Sequence, residues 1–388
     1  MDTSPAMIGF VGNPAGMKPD SKDNTGNLIH GFAARALFAR KLGVRTLNEE
    51  ENIRSVRERC RVLGFVAATG LNVNKTPHFI DAQVNAANFV ERLDLPVCVF
   101  GLGAQAPLGQ SLAEAEVDPR SVRLLKVLAD KSNIVAVRGE FTADLCRKLG
   151  VHNVEVIGCQ SAYLAGLRNW GREIAPPSNP ENLTVNLSLG LDEAKLLDLA
   201  MARGADLIGQ GNPADERIAL GQIDRDAFVS NTYGGTVWPM IETLFLDGRI
   251  DRGAYFDYIR KHFFKFYEFD AWTAHMARYD FCLGTRFHGN MAAFFAGVPA
   301  LWLVHDSRTE ELCRHLGLPS MAHADVQSVS DLRDIAALAD YGTFFRTFPE
   351  RLSVFRDYLD KNGVTDLLTK EFRDASAAVI GGAAQGRA

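Results

Sequence analysis

With 388 residues and 47% apolar content, the chain is about twice the length of an ordinary domain and rich enough in apolar residues for two cores. Its net charge of −5 excludes the broad basic field on which nucleic-acid binding depends, and no run approaches the ~18 apolar residues of a membrane span. The six cysteines form no C-x-x-C pair and read as reduced core residues. The start Met7 to Val11 runs straight into Gly12-Asn13-Pro14, so no secretory leader is expected and a cytoplasmic protein is.

In chain order, Ala6 to Val11 reads as a buried strand, followed by a Gly/Pro/Asn/Asp-rich loop to Gly26 and a predicted helix over 28–42 that Gly43 stops. The alternation then repeats. Strands are predicted at 65–69, 97–101, 134–137 and 154–157, with helices at 79–93, 121–129 and 141–149. Apolar strands each followed by an amphipathic helix predict an α/β fold with a parallel sheet covered on both faces.

Prolines 176, 177 and 180 mark a linker at 168–182 between an N-terminal α/β domain (1–167) and a second one (183–328). The strand and helix rhythm restarts at 183–208, then gives way to a helix-rich stretch over 215–269 with loop points at Tyr233-Gly234-Gly235 and Trp238-Pro239. Helices are expected over 329–380, packing back on the first domain, and a flexible tail over 381–388.

Residues Tyr279 to Gly284 read as a strand, Thr285 to Gly289 as a turn and Asn290 to Ala296 as a helix. In an extended turn Arg286 and His288 point to one face and Phe287 to the other. The free N–H groups of the next helix add partial positive charge, which suits phosphate or carboxylate. A second unit follows, with a strand at 299–304, the turn His305-Asp306-Ser307 and a helix at 309–316. Arg308 at its edge would share the crevice with Arg286 and His288.

Ligands in open parallel sheets bind beyond the carboxyl ends of strands, so residues just after other strands are candidates too. Asn24, Gly26 and Asn27 offer a close backbone approach and hydrogen bonds, or else an Asn-capped loop. Gly101-Leu102-Gly103-Ala104-Gln105 lacks the third glycine and the acid of a dinucleotide motif. It reads as a glycine-rich cleft turn with Gln105 facing substrate. Arg138 ends a strand at a helix start, where a cation opposes the dipole unless an anion binds or Glu140 pairs with it. Asp270 is either a carboxylate base or a helix cap. No metal site is expected: there is no Asp-x-Asp at a strand end and no H-x-x-x-H, and the nine histidines are dispersed.

The stretch G-T-R-x-H-G (284–289) with a small-residue helix, A-G-V-P (296–299), an apolar strand and a charged turn is similar to the C-terminal signature of the polysaccharide pyruvyl transferase family. Val137-Arg138-Gly139 resembles that family's V-R-[GE] segment, and 23–27 its N-x-G-[DN] turn. The resemblance implies a glycosyltransferase-B-like pair of Rossmann-like domains around a cleft. It also implies transfer of pyruvate from phosphoenolpyruvate, as a ketal, to hydroxyls of a polysaccharide or its lipid-linked precursor. Peripheral contact with the inner face of a membrane would follow from such an acceptor.

On this reading His288 is the general acid/base, with a near-neutral side chain suited to either proton transfer. Arg286, Arg308, Arg138, Gly289 and Asn290 hold the donor, while Asn24, Gly26, Asn27 and Gln105 line the acceptor side or cleft. No cofactor is implied beyond the donor substrate. Two departures stand out: Gln160-Ser161 follows Cys159 where many relatives have proline or Asp-Pro, and Arg308 stands where relatives often have lysine. A nucleotide-sugar glycosyltransferase of the same fold is the nearest alternative, although His288, Gly289 and Asn290 stand where such enzymes often place a glutamate. A non-catalytic protein for anionic glycans is the third. The acceptor sugar and the oligomeric state stay open.

Overall fold

The structure, a computed structural model, describes residues 6–18, 23–45, 48–188, 193–211, 213–223 and 245–385. The loop points at Tyr233-Gly234-Gly235 and Trp238-Pro239 lie outside these residues.

Strand Met7–Gly12 lies between Lys41–Gly43 and Cys60–Val66, and Val97–Phe100 follows, all parallel. A bridge from Leu102 to Val137 leads on to the paired strands Val135–Val137 and Val154–Val156. Both faces of Val97–Phe100 are buried, which is what a parallel sheet wrapped by helices requires.

The first helix is shorter than its apolar stripe suggests, running Gly26–Ala36. Leu37 and Phe38 are fully buried, but as a corner beneath the C-terminal segment: Ala39 N–H donates to the Leu367 carbonyl at 3.0 Å and Thr369 N–H to that of Leu37 at 2.8 Å. Lys41–Gly43 is then free to form an edge strand, and helix Glu50–Arg59 follows with Ile53 and Val56 buried. Tertiary pairing here overrides a helical periodicity. The next strand starts at Cys60, five residues before the position expected from the sequence.

The second sheet has six parallel strands in the order Phe263–Lys265, Asp206–Gly209, Leu183–Asn186, Phe281–Gly284, Ala300–Val304, Ser320–Ala322. The chain enters at the middle, winds to one edge and then returns to wind to the other. Direction reverses between Leu183–Asn186 and Phe281–Gly284, which opens a crevice at their carboxyl ends. The α/β class with parallel sheets is therefore as the alternation of strands and helices predicts, and the two Rossmann-like sheets fit the glycosyltransferase-B-like pair that the resemblance implies.

After two short 3-10 segments, helix Gly342–Lys361 packs against the first sheet's side of the molecule. Phe355 stacks on Tyr163 with centroids 4.3 Å apart, the Tyr358 hydroxyl donates to the Val99 carbonyl, and Asn362 donates to that of Ile134 at 3.1 Å. Burying each such ring contributes roughly 1.5–3 kcal/mol. Helix Lys370–Gln385 continues through the first five residues of the expected tail. Alanines 375, 377, 378, 383 and 384 offset the ~1 kcal/mol helix cost of Gly381 and of Gly382, and buried Val379 anchors the helix.

Candidate functional site

The turn after strand Phe281–Gly284 is held by side chains from neighbouring elements. Asn186 ends the adjacent strand; its Oδ1 accepts from the Arg286 N–H at 2.9 Å and its Nδ2 donates to Asn290 Oδ1 at 2.6 Å. Asn290 Nδ2 in turn donates to the carbonyls of Gly284 and Leu301, at 3.0 and 3.1 Å. The Asn290 amide is fully buried and ties strand ends together; its polar atoms are spent inside the second sheet's layer. Thr285 donates to Glu193 at 2.6 Å. Gly289 has no room for a side chain, because a Cβ there would lie 2.4 Å from Gln210 Nε2 and 2.7 Å from Asn186 Cγ.

The extended turn is also shorter than expected. The helix begins at Phe287, with Arg286 as its N-cap and His288 already in the first turn. The Phe287 carbonyl accepts from Trp302 Nε1 at 3.1 Å, which fixes the start of that helix against the next strand.

Three arginines surround the turn. Arg286 Nε donates to the Leu187 carbonyl at 3.0 Å. Arg308 reaches across to Thr69 Oγ1 at 2.6 Å and lies 3.3 Å from Asp306. Arg138 is only 1% exposed. Its Nε donates to the Gly101 carbonyl at 2.8 Å, while Nη2 is buried without a partner. Glu140, the ion-pair partner considered from the sequence, is exposed and makes no ion pair with it. Burial pushes the guanidinium of Arg138, like that of Arg286, down to about 10; Arg308 pushes the same way, while Glu193 and Asp306 oppose it at Arg286, and Glu311 and Asp306 at Arg138. Among the described residues no carboxylate lies within ion-pair distance of Arg138 or Arg286. Two buried guanidiniums that form no ion pair suit an anionic ligand.

The glycine-rich turn makes room for these groups. A Cβ on Gly101 would sit 2.4 Å from His30 Nε2, and one on Gly103 would sit 2.7 Å from Arg138 Cδ. These glycines accommodate protein side chains, which accounts for the pattern without a nucleotide. Gln105 donates to Asp306 Oδ2 at 3.1 Å. Asp306 caps helix Ser307–Leu316 through Thr309, and Ser307 exchanges hydrogen bonds with Ala106 at 3.0 Å. Buried Glu311, from the same helix, accepts from Thr142 N–H and Oγ1 at 3.0 and 2.6 Å. The two sheet layers are thus latched together beside Arg138 and Arg308. Burial raises the Glu311 carboxyl to about 7 against the Thr142 bonds.

His288 is 8% exposed, and its Nε2 lies 3.6 Å from Cys159 Sγ. Its ring centroid is 5.2 Å from that of fully buried His30. Burial, then Arg138 and Arg308, hold the His288 imidazole well below its ordinary 6.5, so it is neutral in the ligand-free protein at pH 7. Helix Gly26–Ala36 begins beside it: a Cβ on Gly26 would lie 3.4 Å from His288 Cβ. Asn24 Oδ1 accepts from Gly26 N–H at 2.9 Å, and Asn27 Oδ1 accepts from Asn13 at 3.5 Å. Thr25 Oγ1 and Gln210 Nε2, next to Gly26, are buried without partners, as unmet polar groups facing a ligand would be. Asp270 stands exposed in the first turn of helix Phe269–Met276 and makes no hydrogen bond or ion pair with these residues.

Several participants escaped the sequence reading. Asn186 and Gln210 were findable, since each closes or follows an apolar strand. His30, Cys159 and Glu311 sit within helices or at a helix start whose neighbours come from distant sequence. No helix among the described residues is long and apolar enough to cross a membrane.

Residues 78–307, more than half of the chain, match the family model described as polysaccharide pyruvyl transferase. Among curated proteins no sequence matches. Similar solved structures include the UDP-GlcNAc 2-epimerase of Methanocaldococcus jannaschii in complex with UDP-GlcNAc and UDP, at 9% identity over 87% of this chain and 92% of that one, with a TM-score of 0.41. S. aureus MnaA with UDP matches at 11% identity over 92% and 97%, TM-score 0.41. Anabaena Alr3699/HepE with UDP matches at 12% over 91% and 99%, TM-score 0.37.

Proposed function

The chain belongs to the polysaccharide pyruvyl transferase family, and from that premise we propose that it moves pyruvate from phosphoenolpyruvate to sugar hydroxyls as a ketal. The observation that carries this reading is a neutral His288 acted on by Arg138 and Arg308, beside two buried guanidiniums, Arg138 and Arg286, that form no ion pair among the described residues. Phosphoenolpyruvate brings a carboxylate and a phosphate, the charges such a group lacks.

The chemistry needs a proton on C3 of the donor, whose double-bond electrons form the new C–H bond and leave C2 cationic. A sugar oxygen then bonds to C2 and loses its proton, and the C2–O bond to phosphate breaks as the second hydroxyl closes the ketal. His288 is the group for these proton transfers. Neutral in the ligand-free protein, it starts as a base. Donor anions beside Arg138 and Arg308 would offset the charges that depress its imidazole, so donor binding favours the protonated acid. Arg286, Arg308 and Arg138 hold the donor, and the start of helix Gly26–Ala36 with Gln105 faces the acceptor. A sugar of a polysaccharide or its lipid-linked precursor is the acceptor class.

Thermal unfolding with phosphoenolpyruvate and, separately, with nucleotide sugars tests the donor. A ligand at 100 times its dissociation constant adds roughly 2.7 kcal/mol of stability. A shift with phosphoenolpyruvate alone is expected, and a shift with a nucleotide sugar alone would replace this reading by glycosyl transfer.

A further inference from the structure

The fold gathers two histidines and a cysteine that lie far apart in sequence. The donor atoms of His30, Cys159 and His288 all lie within 4.8 Å of one another, and all three residues are buried. The Cys159 Sγ to His288 Nε2 distance of 3.6 Å is close to the ~3.5 Å separating a sulfur and a nitrogen on one tetrahedral zinc ion. The widest pair need close by no more than ~1.4 Å to reach such a shell. His30 supplies the independent sign of a ligand: it is fully buried, and its Nε2 has no partner. Its other nitrogen is held by the Asn13 side-chain amide at 3.2 Å. Turning that amide keeps the contact to His30 and gives up only the long 3.5 Å one to Asn27. With the Asn13 oxygen accepting from Nδ1–H, the Nε2 lone pair is free, the arrangement typical of metal-bound histidine.

We propose that His30, Cys159 and His288 form a binding site for a soft divalent cation of the zinc class. Two imidazoles and a thiolate are the donor set that Zn2+ and Co2+ favour over Mg2+ or Ca2+. Binding replaces the thiol proton, which is released to solvent, by a metal–sulfur bond, and the thiolate offsets part of the repulsion from Arg138. Three protein ligands leave the fourth tetrahedral position open. The bound cation takes the His288 Nε2 lone pair, so the metal-loaded protein has no free imidazole there for proton transfer. Metal occupancy and acid–base work at His288 therefore exclude each other, and the cation acts as an inhibitor.

The test uses the full chain, stripped with a chelator and titrated with Co2+ in the absence of any donor. One equivalent should bind with a thiolate-to-cobalt charge-transfer band, and Zn2+ should abolish that band by competition. Cys159→Ala and His30→Ala should lose the band, and Asn13→Ala should weaken binding by roughly 10- to 100-fold, as loss of an outer partner does. Absence of the band in the unaltered protein, or its survival in Cys159→Ala or His30→Ala, overturns the proposal. Zinc-edge X-ray absorption of the unaltered protein needs no variant: a shell containing sulfur and imidazole is expected, and a shell of oxygen alone overturns it. Neither measurement involves phosphoenolpyruvate, so failure of the transfer reading and failure of the metal site are told apart.

Discussion

Replacing Arg138 by methionine separates a ligand-binding arginine from a structural one, because the two roles predict opposite changes. The side chain is 1% exposed and among the described residues no carboxylate forms an ion pair with it; burial lowers its guanidinium from its ordinary value to about 10. That displacement corresponds to roughly 3 kcal/mol of unfavourable free energy for keeping the charge in the fold at neutral pH. Methionine removes this term and fills much of the same volume. It also forfeits the 2.8 Å bond to the Gly101 carbonyl, and an unmet buried acceptor costs about 1–3 kcal/mol. The sum is a protein of equal stability or one up to ~2 kcal/mol more stable. Donor affinity should fall instead, by about 10- to 150-fold, the equivalent of one lost hydrogen bond to a charged group. Denaturant unfolding and calorimetric titration with phosphoenolpyruvate read the two effects on one preparation. A loss of more than ~3 kcal/mol of stability with unchanged donor affinity would show that Arg138 serves the fold and refute the assignment.

Stability should fall as pH drops from 7 to 5. Burial holds the imidazoles of His30, His288 and His315 below 6.5 in the folded state, so the unfolded chain takes up protons there that the folded chain refuses. Their contribution is present above about pH 6.5 and is lost below it, at up to roughly 1.4 kcal/mol per pH unit for each. Glu311, raised to about 7, acts in the opposite sense: its contribution is full below about 4.5 and is lost as pH rises to 7. Three groups outweigh one, so the Tm at pH 5.5 should lie below that at pH 7.5; a flat or rising profile contradicts the burial of these histidines. Gly289→Ala should destabilise by about 1–3 kcal/mol, since its Cβ would meet Gln210 and Asn186 at 2.4 and 2.7 Å. Urea unfolding measures this, and an unaltered midpoint would mean that the packing around the turn is looser than the structure has it.

What the sequence made legible was mostly local. Strand, turn and helix around Arg286 and His288 announce themselves through apolar runs, glycine and the change of periodicity. The alternation of strand and helix likewise implies parallel sheets. Residues that act through distant neighbours were not legible. Leu37 and Phe38 continue a helical stripe on paper, yet pairing with 367–369 ends the helix at Ala36. Asn290 looks like a ligand contact by its place in the motif, whereas Asn186, 104 residues earlier, claims its amide. Asp270 has the chemistry of a base, but its helix leaves it exposed. His30 and Cys159 carry no motif of their own; only the packing of helices Gly26–Ala36, Gln160–Asn169 and Phe287–Phe295 brings their side chains to His288. Sequence spacing carries no record of such encounters.

Proton transfer by His288 and donor binding by the surrounding arginines meet in one assay: phosphate release from phosphoenolpyruvate in the presence of candidate acceptor glycans, compared between the unaltered protein and His288→Ala. Acceptor-dependent phosphate release with a new ketal methyl group on the glycan is expected. With His288→Ala that release should disappear while phosphoenolpyruvate still binds and the fold is kept. Undiminished release by His288→Ala would contradict the acid–base role, and an intact donor alongside consumption of a nucleotide sugar would contradict the transfer itself.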